Sequence, residues 1–361
     1  VAGILPPLAT DLHVSIPAVG QLVGGYALAF AVLTPPLAAA FGGPRRKRGL
    51  LIGLIVVAVA NLLACVAPSY VTLLAARFLA AAGSALVSPL ALGAIDDVIP
   101  VEKRGWAQGV VFSGFSVAAT IGVPMGALIA DRFDWRVVFA IIAVTALLAA
   151  ILCSGLRPGA AANAAAAVFR WSQARRAVSP AVLRILAISL LSLAAQYATF
   201  TYMRPYLAET GNLDLNASAF LLFLLGLFGS AGNLGGGLAL DRYGPRGAII
   251  GCLAANIGVF AVMRFVHAPL VLMAPIFIVW AVSSWACSPA INHSLAAEAG
   301  DQRDLALALN MTAFNLGIAG GSALGGLVIA TSGIANIVVL GAALLAAALA
   351  FAATLPRALP R

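Results

Sequence analysis

The chain has 361 residues, of which 62% are apolar and only 9% charged, against roughly a quarter in an ordinary soluble domain. No water-soluble fold can hide that much apolar surface, so a soluble enzyme, a disordered chain and a secreted disulfide scaffold are all excluded. The formal charge of +9 sits in short basic clusters between apolar runs, the arrangement that orients a membrane protein and not one that binds nucleic acid.

A helix needs about 20 apolar residues to cross a hydrocarbon layer of ~30 Å. Runs of that kind predict spans at 17–41, 49–67, 70–95, 106–130, 136–156, 182–205, 217–240, 247–265, 269–292, 304–330 and 334–355, and residues 1–10 resemble the tail of one more. The runs are continuous and do not alternate as a barrel wall would. Helices also satisfy their own backbone groups in lipid. The expected fold class is therefore all-α and integral to the membrane. The stretch 157–180 carries Arg157, Arg170, Arg175 and Arg176 in Ala-rich sequence. It is read as a cytoplasmic linker between an N-terminal bundle (1–156) and a C-terminal bundle (181–361).

The two halves repeat. Gly43-Pro44-Arg45 recurs as Gly244-Pro245-Arg246, Pro6-Pro7-Leu8-Ala9 as Pro205-Tyr206-Leu207-Ala208, and Gly126 to Ala130 as Gly326 to Ala330, at offsets of 201, 199 and 200 residues. The same offset implies that most of a first helix would precede Val1, and a chain lacking it is expected to be inactive because its N-terminal bundle would open. With the linker and the 42–48 loop on one side, that side holds 16 of the 21 bases and the other holds three: Arg132, Arg136 and Arg264. Arg77 and Arg204 lie within spans. The positive-inside rule makes the first side cytoplasmic.

No chemistry is supported. There is no HExxH, GxSxG or Walker-type GxxxxGK pattern, and no cofactor is implied. His13, His267 and His293 are far apart, and Cys65, Cys153, Cys252 and Cys287 are dispersed without metal or redox spacing. The chain is expected to be neither an enzyme nor a metalloprotein, and ATP hydrolysis within it is excluded on motif grounds.

Two six-helix halves in parallel repeat with a basic linker resemble the major facilitator superfamily. Local motifs narrow the likeness. Gly237-x3-Asp241-Arg242-x-Gly244-x-Arg246 matches that superfamily's loop signature after helix 8, while Phe41 to Arg48 after helix 2 keeps the bases without the Asp-Arg pair. Arg77 to Gly83 resembles the motif of helix 4. Gly122-Val123-Pro124-Met125-Gly126, followed by Asp134-Trp135-Arg136 and Phe139, resembles the antiporter motif of the drug:proton antiporter branch. GILPPLATDL at Gly3 to Leu12, TYMRPYL at Thr201 to Leu207 and ALNMTAFN at Ala308 to Asn315 look most like bacterial arabinose-efflux and chloramphenicol-resistance permeases.

This resemblance implies a multi-pass protein of the bacterial inner membrane that exports a small drug-, sugar- or nucleoside-like solute in exchange for protons by alternating access, as a monomer in the lipid bilayer. An importer of sugar with protons, and a receptor or scaffold that has lost transport, are the alternatives. Arg77, mid-span, costs about 2.5–3.5 kcal/mol on insertion scales, so it either faces a partner acid or snorkels to the outer interface. A guanidinium never carries the proton itself. Asp96 or Asp97 pairs with Arg45, Arg46 or Arg48 as a gate latch, or the two form a solvated helix end. Asp241 and Arg242, with Arg246, latch the cytoplasmic seam or merely set topology. Gly122, Pro124 and Gly126 are expected to pack helix 5 closely against the other half. Gly317, Gly320, Gly321, Gly325 and Gly326 of helix 11 invite the same reading. Gln21, Tyr26, Gln108, Gln196, Tyr197, Tyr202, Trp280, Trp285, Asn310 and Asn315 are candidate cavity residues, about half of them expected to be ordinary interhelical glue.

Overall fold

The structure, a computed structural model, describes residues 2–100, 103–155, 179–211, 213–265 and 269–355. Most of the expected linker and the side chains of Asp96, Asp97 and Gln108 lie outside the described residues. Among the described residues there are helices and no strands.

A short helix α1 (Leu5–Asp11) leads into α2 (Ile16–Phe41). Ser15 opens α2 by accepting the Ala18 amide, with Pro17 preset for the first turn. Helices α3 (Arg46–Cys65) and α4 (Tyr70–Val98) follow. At Ser69 a reciprocal cap forms with Thr72, which satisfies the backbone N–H groups of both residues where α4 starts. Next come α5 (Arg104–Val117) and α6 (Val123–Arg132), joined by one π-helical turn over Ala118–Gly122. The sequence predicts an unbroken α-helix here. Pro124 has no N–H for the Thr120 carbonyl, and the wide turn, with the Val123 amide on the Ala118 carbonyl, re-registers the ladder around it. Asp134 caps α7 (Trp135–Ser154) through the Arg136 amide.

The second half holds α8 (Pro180–Phe200), α9 (Met203–Gly211), α10 (Leu215–Phe265), α11 (Leu270–Ala299), α12 (Arg303–Ser332) and α13 (Ile337–Ala353). At 51 residues α10 is too long for one crossing. Gly244, at φ +69, breaks it into 215–243 and 245–265, a conformation glycine adopts without steric cost, and Pro245 restarts the helix. Among the described residues nine helices are long and apolar enough to cross a membrane. Counting α10 twice and the α5–α6 rod once gives eleven crossings among the described residues.

Within the first half α3 packs on α4 and α7, and α2 on α4; within the second, α8 packs on α12 and α13, and α10 on α11. Lipid supplies no hydrophobic drive between helices, so contact depends on close backbone approach. Gly232 shows this on α10, where a Cβ would lie 2.5 Å from the Val282 carbonyl of α11. Glycines 317 and 321 serve in the same way against α8, inside the second half. Two seams join the halves: α2 against α12, and the α5–α6 rod against α10. The end bearing Arg45–Arg48, Arg242 and Arg246 is the basic end, cytoplasmic by the positive-inside rule; the opposite end is the outer one.

Candidate functional site

Arg77 on α4 projects between α2 and α7. Its guanidinium carbon lies 4.6 Å from the Tyr26 ring centroid and 5.8 Å from that of Phe139. Tyr26 in turn stacks on Phe30 at 6.4 Å. Cation–π contact is worth about 0.5–2 kcal/mol, which offsets only part of the cost of a charge at this depth. The Nε is buried with no hydrogen-bond partner, and no described carboxylate pairs with the group.

Between the halves, the outer end is pinned by two clusters. In the first, the fully buried Tyr202 donates to the Ser322 carbonyl at 2.8 Å and reaches the Pro17 carbonyl at 3.5 Å. Gln21 donates to the Ser322 carbonyl at 3.4 Å, and the hydroxyls of Thr201 and Ser322 meet at 3.0 Å. In the second, Arg204 of α9 pairs with Asp131 of α6 at 2.9 Å and donates to the Gly3 carbonyl at 3.1 Å. Gly24 lets α2 approach the Ala319 carbonyl, where a Cβ would stand 3.2 Å away. Toward the basic end a Cβ on Gly114, Gly235 or Gly237 would meet nothing within 4 Å.

The close approach of the α5–α6 rod to the other half is made by Gly226 of α10, where a Cβ would sit 2.6 Å from the Thr120 nitrogen. Gly122 and Gly126 have room to spare: the nearest atoms are Ala118 Cβ at 3.9 Å and Val138 Cγ1 at 3.7 Å, both in their own half. The buried Pro124 acts through the π turn that places Ala119 and Thr120 against Gly226.

Other polar candidates are bonded within the second half. Gln196 donates to Asn256 at 3.1 Å and accepts from the Trp280 indole; Ser284 also donates to Asn256, at 2.9 Å. Trp280 is buried between Phe260 and Phe277. This network ties α8 to α10 and α11. Tyr197 contacts Phe200 edge-on. Asn310 donates to Asn292 at 2.9 Å while its buried Oδ1 stays unpaired, and Asn315 donates to the Met311 carbonyl of its own helix. Trp285 is partly exposed beside Gly229.

At the basic end Arg46 donates to the Gly93 carbonyl of α4 at 2.6 Å, and Arg246 to the Ala353 carbonyl at the end of α13 at 2.7 Å. Both satisfy carbonyls at or near C-terminal helix turns. Asp241 and Arg242 are exposed, and Arg242 lies over Tyr243 at 5.3 Å. At the outer end Asp11 accepts from the Trp135 indole at 3.0 Å and pairs with Arg136 at 2.9 Å. Those contacts, the indole first and Arg136 after the opposing effect of desolvation, hold the Asp11 carboxyl below its ordinary value. One turn on, Phe139 supports Arg77. Sequence reasoning placed Arg204 in a span without giving it a partner, and passed over Asp131, Ser322, Asn256 and Asn292; an intramembrane Arg or Asn is the only signal that marks them.

The profile of the Major Facilitator Superfamily matches residues 1–301. The chain is 30% identical over 325 residues to the chloramphenicol resistance protein of Streptomyces lividans, covering 89% of this chain and 82% of that one. It is 27% identical to the inner membrane transport protein YdhP of Escherichia coli K12, over 94% of this chain and 87% of that one. It is 26% identical to a chloramphenicol efflux pump of Mycobacterium tuberculosis, over 90% and 80%. Among solved structures, a bacterial homologue of the human lysosomal transporter Spinster, inward-facing and occupied, superposes with a TM-score of 0.76 at 16% identity, covering 97% of this chain and 91% of that one.

Proposed function

The chain belongs to the major facilitator superfamily, and we propose that this multi-pass membrane transporter exports a small, amphipathic, uncharged solute of the amphenicol kind in exchange for protons. The observation that carries the reading is the asymmetric seam. Hydrogen bonds from Tyr202 to Pro17 and from Gln21 to Ser322, with the Arg204–Asp131 ion pair, hold the halves together at the outer end, while a Cβ on Gly114, Gly235 or Gly237 toward the basic end would meet nothing within 4 Å. Such a form takes solute from the cytoplasm, and release outside requires the clasp at Tyr202–Pro17, Gln21–Ser322 and Arg204–Asp131 to part as the basic end closes. The two bundles, 1–156 and 181–361, rock about the site between them, and one chain suffices.

Arg77 supplies a fixed positive charge within the first half. It never releases a proton at physiological pH, so its part is electrostatic: it favours the ionised form of an acid, or the electron-rich oxygen of a solute, brought against it. Asp241 and Arg242, exposed in this form, are free to engage helix ends when the basic end closes.

The test is flux of labelled chloramphenicol in everted membrane vesicles under an imposed pH gradient. Export by antiport predicts uptake into vesicles that are acid inside, abolished by dissipating the gradient. Uptake by right-side-out vesicles along with protons makes the protein an importer. Flux no greater than in vesicles lacking the protein, and unaltered by Arg77→Met, makes it a receptor or scaffold.

A further inference from the structure

At the basic end of the first half, the last turn of α2 and the first turns of α3 border a shallow, open cleft of about 380 Å³ lined by Ala40, Phe41, Arg45, Arg48 and Ile52. We propose that this cleft binds the headgroup of an anionic phospholipid of the cytoplasmic leaflet, with Arg45 and Arg48 on the phosphate and Phe41 and Ile52 against the first methylenes of its chains.

Four bases in succession, Arg45 to Arg48, stand at the start of α3, which has no acid in its first turn. Cations at a helix N-terminus oppose its dipole, so this charge does not serve the helix. The four do not share one task. Arg46 turns inward to the Gly93 carbonyl at 2.6 Å. Arg45 and Arg48 are exposed and make no hydrogen bond or ion pair with any described residue, and both line the cleft. Two unpaired guanidiniums over an apolar wall are complementary to a molecule that is anionic at one end and aliphatic at the other, which a free phosphate is not.

The wall is fixed in place. Phe41 and Ile52 pack on a separate small cluster of Leu50, Leu54, Leu86 and Leu90. Gly49 admits Phe41 so closely that a Cβ there would come 2.5 Å from the phenylalanine Cβ. The repeat provides an internal contrast. In the equivalent loop of the second half, Arg246 is spent on the Ala353 carbonyl and Arg242 stands next to Asp241. The anionic site is therefore particular to the first half. Basic pockets between spans on the cytoplasmic side are where such headgroups settle, because the leaflet is itself rich in anionic lipid.

Native mass spectrometry of the full chain in neutral detergent tests this, with phosphatidylglycerol and phosphatidylcholine as paired probes and inorganic phosphate as competitor. The expected result is retention of one phosphatidylglycerol in preference to phosphatidylcholine. R45Q/R48Q is expected to weaken that retention by roughly tenfold or more, R45K/R48K to keep most of it, and R132Q at the outer end to leave it unchanged. Equal binding of the two lipids, equal loss in R132Q, or full displacement by millimolar phosphate would each overturn the proposal. Should R45Q/R48Q fail to purify, the single variants R45Q and R48Q give the same reading.

Discussion

Arg204 and Asp131 stand 73 residues apart in sequence and in different halves of the protein, yet their side chains meet at 2.9 Å across the outer end of the seam. The arginine is largely buried while the aspartate is nearly half exposed, so the pair is worth about 1 kcal/mol, less than a buried pair. That suits a latch which has to open in every cycle.

Breaking the latch should shift the balance between the two forms. Arg204→Gln or Asp131→Asn is expected to raise the population open to the outside by about fivefold, and the exchange R204D/D131R to restore it. The rate at which a membrane-impermeant maleimide labels a cysteine placed at Ser322 reads that population. An unchanged rate in both single variants would show that the pair only decorates the surface.

Gly226 is expected to be the intolerant glycine of the α5–α6 seam. Gly226→Ala drives a methyl into the Thr120 backbone and should destabilise the closed outer end by about 1–3 kcal/mol. Gly122→Ala and Gly126→Ala meet only ordinary contacts and should transport within about twofold of the parent. Parallel efflux assays on the three variants decide this; the reverse order of sensitivity would contradict it.

Removing the unmatched charge at Arg77 should separate stability from function. Arg77→Met relieves a buried, unpaired Nε, so its melting temperature should equal or exceed the parent's while efflux falls by at least ~10-fold. Arg77→Lys keeps the charge but loses planar stacking on Tyr26 and Phe139, and should retain partial activity. Thermal unfolding followed by tryptophan fluorescence, beside vesicle flux, supplies both readouts.

Acid should loosen the outer end through Asp11. Its carboxyl is held below the ordinary value of 3.8 chiefly by the Trp135 indole. A depressed value in the folded state stabilises the protein above the unfolded carboxylate's pKa, and that contribution is lost as pH falls through the folded one. Asp11→Asn should flatten this acid limb, so the gap in melting temperature between parent and variant, present at pH 6, should close as the pH falls below the ordinary carboxylate value. A gap that persists at pH 2 would assign it to packing.

The spans were legible because a run of about 20 apolar residues has one physical use, and the break at Gly244 was legible as a basic Gly-Pro-Arg loop. What sequence could not supply is the face each residue presents. Gln196 and Tyr202 look alike as polar groups within one helix, but Gln196 joins Asn256 and Trp280 inside its own half, whereas Tyr202 crosses to Pro17. In the antiporter-like segment the small residues of the motif drew attention to Gly122 and Gly126; the decisive glycine lies about a hundred residues later, because close approach needs room on only one of two backbones. The partnership of Arg204 with Asp131 is likewise a product of packing. Arg77 stood out from composition alone, as any charge in a span does.

Alternation of access is tested most directly by two distances measured on the same protein in a bilayer. Spin labels at Arg132 and Glu209 report the outer end, and labels at Arg48 and Tyr243 the basic end; all four positions are exposed. With solute and an imposed pH gradient, the outer distance should lengthen as the basic one shortens. Distances that stay fixed under every condition, or that lengthen together, would contradict a seam that opens at one end only by closing at the other.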